Sequence, residues 1–409
     1  MLDDVARFDM AKPPKRQLLR PLIWLLTFPE VLSHKSKIKK INTEGIKPPY
    51  LLLGNHNAFL DFKVATKAIF PHRTNYVIAI DGFIKREWIL RRIGGICKRK
   101  FTNDIVLIKH LKTVVNRGDI AIIYPEARYS LCGTNSEIFP SVAKLAKYLD
   151  VPLVTLICHG HHVNSPFWDS KSNRKVKGIE AEMTCLFNKE EIERASVEEI
   201  HKKLSESFIY DDFKWQKENN IHIDYKDRAE GLHKVLYKCP HCLKENKMES
   251  FGVTLRCKEC NKEWTMNELG ELEAKEGKVY FSHIPDWYDW ERECVKKEIE
   301  EGKYYFEDEV RVDSLPNAKG YIDLGKGKLI HDMQGFRLFG KYKGKKYEVE
   351  LEAKGTYSVH IEYNYLFKYG DCVDLNTLND TLYVYPQGDD FSVTKISLAT
   401  EELYKYLNK

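Results

Sequence analysis

Short apolar runs alternate with longer amphipathic stretches through the first half of the chain. Residues 50–54 (Tyr-Leu-Leu-Leu-Gly) read as a buried strand stopped by glycine, and residues 76–80, 105–108, 120–124 and 153–158 are similar runs. Helical stretches lie among them over 59–69, 84–93, 111–116 and 142–149. This alternation predicts an α/β layer whose parallel or mixed sheet is flanked by helices. Ser196-Val197-Glu198-Glu199 reads as a capping box opening a helix with Ile200, Leu204 and Phe208 on one face, so the layer closes near residue 210.

From residue 304 the pattern changes to closely spaced β-rich runs, at 310–312, 321–323, 329–330, 336–339, 347–351, 357–365, 372–373 and 382–385. A helical stretch at 399–407 follows them. Repeated strands ending in one helix predict a small all-β domain, in an order that resembles pleckstrin-homology-like or GRAM-like domains. The chain is thus divided into a basic amphipathic segment (1–45), an α/β layer (46–210), a connector (211–236), a cysteine-bearing ribbon (237–265), a helical connector (266–302) and the β-rich domain (303–409).

Composition changes this picture in two places. With 43% hydrophobic and 31% charged residues over 409 positions, the chain can bury cores, which excludes wholesale disorder. No apolar run approaches the roughly 20 residues of a membrane span; the early candidate at 21–28 is too short and lacks a signal-peptide cleavage site. The net charge of +5 is local. Lys12, Lys15, Arg16, Arg20, Lys35, Lys37, Lys39 and Lys40 stand against Glu30 alone, leaving that stretch +7 and the rest of the chain −2. Between its basic ends lie Leu18, Leu19, Leu22, Ile23, Trp24, Leu25, Leu26 and Phe28. Such a segment suits the headgroup region of an anionic bilayer, and equally a core-docked helix with a solvated charged face.

Four of the ten cysteines are grouped, as Cys239-Pro240-His241-Cys242 and Cys257-Lys258-Glu259-Cys260. Two Cys-x-x-Cys knuckles 14 residues apart suit one tetrahedral zinc ion, with His241 an alternative ligand. Four thiolates leave no open position, so such a metal holds the fold and does no chemistry. The other six cysteines are scattered, as in a reduced compartment.

The candidate chemistry sits in the layer. His56 and Asp61 lie five positions apart immediately after the first strand. A carboxylate folded back onto one imidazole nitrogen fixes the tautomer and leaves the other nitrogen to accept a proton. The spacing alone is weak: His222 and Asp227 repeat it in the connector, and it also serves as a capping pair at a helix start.

Three further blocks follow: Gly94-Gly95-Ile96-Cys97-Lys98-Arg99-Lys100, then Tyr124-Pro125-Glu126-Ala127-Arg128-Tyr129-Ser130, then Val151-Pro152 at a strand start. In this order the chain, over about residues 15–210, resembles the PlsC-like glycerolipid acyltransferases (1-acyl-glycerol-3-phosphate acyltransferases). Asn55, His56 and Asp61 match that family's first block in full. The third block departs from its pattern, with Ala127 in place of glycine and arginine one place early, at Arg128.

The resemblance implies direct transfer of an acyl group from acyl-CoA or acyl carrier protein to a lysophospholipid hydroxyl. His56 would be general base and Asp61 its orienting partner, with Asn55, Arg99, Glu126 and Arg128 placing a phosphate-bearing acceptor. Lys98 and Lys100 then supply electropositive surroundings. His159, His161 and His162 cluster with Cys158 at a strand end in imitation of a metal site, but no nearby carboxylate or spaced pair completes one and they read as loop histidines. The expected protein is a peripheral enzyme on the cytoplasmic side of an anionic membrane, making phosphatidic acid from 1-acyl-glycerol-3-phosphate, with no nucleic-acid partner. The alternative is a membrane-recruited lipid-binding scaffold whose acyltransferase layer is weak or inactive.

Overall fold

The computed structural model describes residues 5–169 and 173–409. Residues 1–4 of the segment assigned to 1–45, and 170–172 of that assigned to 46–210, lie outside the described residues.

The layer is a mixed seven-stranded sheet. Its strands are β1 (Lys37–Ile41), β2 (Leu51–Gly54), β3 (Thr74–Ala79), β4 (Gly95–Lys98), β5 (Ile120–Ile123), β6 (Leu153–His159) and β7 (Glu180–Phe187). They run in the order β1-β7-β6-β2-β5-β3-β4. Only β6 and β7 pair antiparallel. The Leu51-Leu52-Leu53 run is continuous because β2 is buried on both faces: Leu52 packs into the core on one side, Leu51 and Leu53 into that on the other.

Helices Leu60–Ala68, Ile105–Asn116, Pro140–Leu149 and Val197–Ser207 flank the sheet. The last opens with the expected Ser196–Glu199 capping box. Residues 105–108, expected as a strand, instead begin a helix. The Asp104 carboxylate accepts from Val106 N and Leu107 N, and Leu107, Leu111, Val114 and Val115 then bury at helical spacing. The stretch 84–93 is likewise shortened, to a helix at Glu87–Arg92.

In the basic segment, helix Arg20–Ser33 buries Ile23, Thr27 and Val31 at i, i+4 and i+8. Its other side leaves Leu22, Leu25, Leu26 and Leu32 exposed. Several of the segment's cations bind protein: Lys12 pairs with Glu87, Arg16 with Asp119, and Lys37 and Lys39 with Glu180 and Glu182 across the parallel β1–β7 pair. No helix among the described residues is long and apolar enough to cross a membrane.

The ribbon is a small antiparallel sheet of β8 (Met248–Phe251), β9 (Thr254–Cys257), β10 (Glu263–Met266) and β11 (Leu272–Ala274). Helix Ile284–Glu300 leads to the C-terminal sheet of β12 (Tyr305–Ser314), β13 (Ile322–Asp332), β14 (Gly335–Tyr342), β15 (Lys345–Glu352), β16 (His360–Glu362), β17 (Cys372–Asn376) and β18 (Thr381–Pro386). Its order is β15-β14-β13-β12-β18-β17-β16, and helix Val393–Leu407 closes the chain. The C-terminal unit packs directly on the layer. Phe8 bridges them, its N–H donating to Pro316 O while its ring meets Phe83 edge-on at 5.6 Å.

Candidate active site

β2 lies between β6 and β5 in the middle of the sheet, so the residues after its C-terminal end emerge in the crevice where ligands of open α/β sheets bind. Asn55 locks this end to β6: its Nδ2 donates to Cys158 O at 2.9 Å and its Oδ1 accepts from Cys158 N at 2.8 Å. The chain then turns into helix Leu60–Ala68. Asp61, in the first helical turn, accepts from Asn57 N at 2.6 Å and Ala58 N at 2.9 Å. His56 Nδ1 lies 3.0 Å from the same carboxylate oxygen, Oδ2. Because an ionised carboxylate only accepts, Nδ1 carries the proton and the neutral ring keeps Nε2 as an acceptor. Nε2 makes no hydrogen bond among the described residues, and the His56 side chain keeps about one-fifth of its surface exposed.

The other oxygen of Asp61 is held by a residue to which the sequence reading gave no part in the site. His161 Nδ1 lies 2.5 Å from Asp61 Oδ1. His161 is wholly buried at the end of β6, where Gly160 (φ 83) reverses the chain into the short helix His161–Asn164. The reading of His161 as a loop histidine is therefore corrected: packing brings it 100 positions back along the chain onto the candidate catalytic carboxylate. Burial works to raise the Asp61 pKa, but the bonds from His161 and His56 outweigh it and hold the carboxyl at about 2.

The ring of His56 is fixed by aromatic neighbours. Tyr124 stacks on it at 4.1 Å, and Tyr129 lies tilted against it at 4.4 Å. The stack depends on Gly54, where a Cβ would come within 2.9 Å of the Tyr124 ring. Glu126 buttresses the backbone at His56. One of its oxygens accepts from His56 N at 3.4 Å and the other from Ser136 N at 2.8 Å. Burial outweighs these donors and pushes the Glu126 carboxyl up to about 7. Ala127 takes the left-handed conformation (φ 55), so the turn retains the geometry that glycine favours although a methyl group is present.

Arg99 and Arg128 are not brought into this cluster. The buried Arg99 guanidinium donates to Leu315 O, Pro316 O, Asn379 O and Thr381 Oγ1 of the C-terminal unit at 2.8–3.3 Å. Arg128 pairs with Glu401 at 2.6 Å and donates to Ser397 Oγ at 2.9 Å. In this arrangement neither offers a free guanidinium to an acceptor at His56. Each instead supplies a charge-assisted clamp between the two halves of the chain. A polar cavity of about 270 Å³ adjoins Arg128, with Ser130, Ser136, Arg292 and Glu401 among its walls.

Residues 32–159 match the Acyltransferase family. The chain carries an acyltransferase-family domain. His56 and Asp61 fall inside the matched span, as do Arg99, Glu126 and Arg128. No curated protein matches the chain. Among solved structures it is similar to the crystal structure of the 1-acyl-sn-glycerophosphate (LPA) acyltransferase, PlsC, from Thermotoga maritima. The TM-score is 0.39 at 13% sequence identity, over 46% of this chain and 76% of that one.

Outside the acyltransferase domain, Cys239, Cys242, Cys257 and Cys260 place their sulfurs within 4.8 Å of one another. The Sγ separations of 3.8 Å (Cys239–Cys260) and 3.7 Å (Cys242–Cys257) are far from a disulfide bond. They match the roughly 3.8 Å edge of a tetrahedron built from zinc–sulfur bonds of about 2.3 Å. The cluster is compatible with a zinc site.

Proposed function

We propose that the chain is a peripheral membrane O-acyltransferase that moves an acyl group from acyl-CoA or acyl carrier protein to the free hydroxyl of a lysophospholipid. The observation that carries this reading is the partly exposed His56, at the end of the central strand, with its Nδ1 held by Asp61 and its Nε2 making no hydrogen bond among the described residues. Nε2 takes the hydroxyl proton as the oxygen attacks the thioester carbonyl. The tetrahedral intermediate then collapses, the carbon–sulfur bond breaks, and the departing thiolate takes the proton back from His56. No acyl-enzyme is formed. Asp61 stabilises the imidazolium present between the two proton transfers.

The apolar ridge of helix Arg20–Ser33 supports membrane docking. Leu22, Leu25, Leu26 and Leu32 are exposed on a helix packed against Leu60–Ala68, whose neighbour Phe59 is also exposed beside the site. A water-insoluble acceptor reaches His56 along such a surface without leaving the bilayer. The acceptor assigned here is 1-acyl-glycerol-3-phosphate, on the cytoplasmic side. Its phosphate meets Arg99 and Arg128 only in a state where the C-terminal unit has released them.

Purified protein with vesicles, acyl-CoA and lysolipids with or without a phosphate monoester tests this reading. Turnover of the phosphate monoester, abolished by His56→Ala, is the expected result. Turnover of another lysolipid alone would retain the reaction and reject the acceptor. The engagement of both arginines favours a second reading, a lipid-binding scaffold with a weak acyltransferase layer. Absence of turnover with either donor, from folded protein that still binds vesicles, would select it.

A further inference from the structure

A second cluster of ligating side chains lies on the C-terminal sheet where it faces the layer. His360 and Asp374 are directly paired across the antiparallel β16–β17 ladder, and Glu362 follows His360 by two positions. The two-residue period of a strand therefore puts all three on one face. One nitrogen of the imidazole and one oxygen of each carboxylate converge within 4.8 Å of one another. His360 Nε2 lies 2.9 Å from Glu362 Oε1.

The surroundings leave this cluster short of partners. His360 and Asp374 are each only 2% exposed. Among the described residues, the Asp374 carboxylate, which is turned into the cluster, has a single hydrogen-bond contact, the Cys372 thiol at 3.8 Å. The other nitrogen of His360, Nδ1, is buried without a partner. Among the described residues one cation faces the group: Lys100 of the acyltransferase domain, with Nζ 3.9 Å from Glu362. Lys100 matches Glu362, which leaves the Asp374 carboxyl in a desolvated setting where such a group is neutral unless a cation joins it.

We propose that His360, Glu362 and Asp374 form a divalent-cation site at the junction of the acyltransferase and C-terminal units. One imidazole nitrogen with two carboxylates is a borderline-to-hard donor set that suits Mn²⁺ or Zn²⁺, unlike the all-thiolate set of the ribbon. Lys100 repels the ion, which keeps it exchangeable. A ring path sets the site on the same side of the layer as His56: Tyr129 meets His56 at 4.4 Å and Phe167 at 6.0 Å, and Phe167 meets His360 at 6.2 Å.

The test is Mn²⁺ titration of the full chain, with its ribbon zinc retained, read by the electron paramagnetic resonance signal of free Mn²⁺. One Mn²⁺ per chain is expected in the wild type. His360→Ala and Asp374→Asn should each weaken binding at least about tenfold, the lower bound for losing even an outer partner of a metal. Lys100→Met should tighten it. If Asp374→Asn fails to fold, Glu362→Gln, on the edge strand β16 and only partly buried, replaces it. No Mn²⁺ bound by the wild type at millimolar concentration would overturn the proposal and leave Lys100 as the cluster's resident cation. Binding that survives His360→Ala and Glu362→Gln, or that is unchanged by Lys100→Met, would place the ion elsewhere and overturn it equally.

Discussion

Glu401 receives two guanidinium groups, from Arg128 at 2.6 Å and Arg292 at 2.8 Å, and a hydroxyl from Ser358 at 2.9 Å. Burial opposes its ionisation, but Arg128 and Arg292 outweigh that and hold the carboxyl at about 2. Against an ordinary glutamate value near 4.5, this corresponds to about 3 kcal/mol of folded-state stabilisation. The figure agrees with the roughly 3–5 kcal/mol for breaking a buried ion pair by removing one partner. Glu401→Gln keeps the shape and removes the charge, so at pH 7 it should cost about 3 kcal/mol. The folded value lies below the unfolded one. The stabilisation is therefore complete above about pH 4.5 and disappears as the pH falls through about 2. Urea unfolding followed by tryptophan fluorescence, on Glu401→Gln, Arg128→Met and the double variant, measures both the loss and the coupling of the pair. A loss under about 0.5 kcal/mol at pH 7, or an equal loss at pH 2, would refute the reasoning; Arg128 would then be satisfied by its serine partners alone.

Three further outcomes are expected. His161→Ala leaves Asp61 with one imidazole partner, so kcat should fall by one to two orders of magnitude while KM for the acyl donor is unchanged; His161→Gln, which retains a donor, should recover part of the loss. Gly54→Ala drives a methyl into the Tyr124 ring beneath His56, and kcat should fall roughly tenfold with thermal stability lowered by about 1–3 kcal/mol, measured by calorimetry and single-turnover assay. Removing zinc from the four-cysteine cluster with a chelator should lower the melting temperature and release one zinc per chain, detected with a colorimetric indicator; Cys257→Ser should have the same effect without chelator.

The parts legible in sequence are those whose determinants are local. The Leu51-Leu52-Leu53 run announces a strand buried on both faces, and His56 and Asp61 lie within one turn of each other, so strand, helix and pair follow from a dozen consecutive residues. The two cysteine knuckles carry their own spacing. By contrast, β1 is a five-residue edge strand with three lysines, and its exposed, polar pattern concealed it within the basic segment. The helix at Ile105–Asn116 was split because its first residues are apolar and β-branched; the Asp104 cap decides the matter through bonds that residue counts do not show. His161 reaches Asp61 only because β6 lies next to β2, an adjacency set by sheet topology and not by chain proximity. The partners of Arg99 and Arg128 lie in another structural unit, and an arginine that clamps two units has the same sequence signature as one that awaits a phosphate.

The Arg99 clamp also has a consequence for biosynthesis. Two of its partners, Leu315 and Thr381, follow it by 216 and 282 residues. At ribosomal speeds of about 5–20 residues per second, Arg99 waits roughly 10–60 s for them. In that interval the acyltransferase domain can emerge and assemble its sheet with both arginines hydrated. A nascent chain therefore holds both guanidinium groups free before its own C-terminal half exists. The order of synthesis alone places assembly of the sheet ahead of the clamp that joins it to the C-terminal unit.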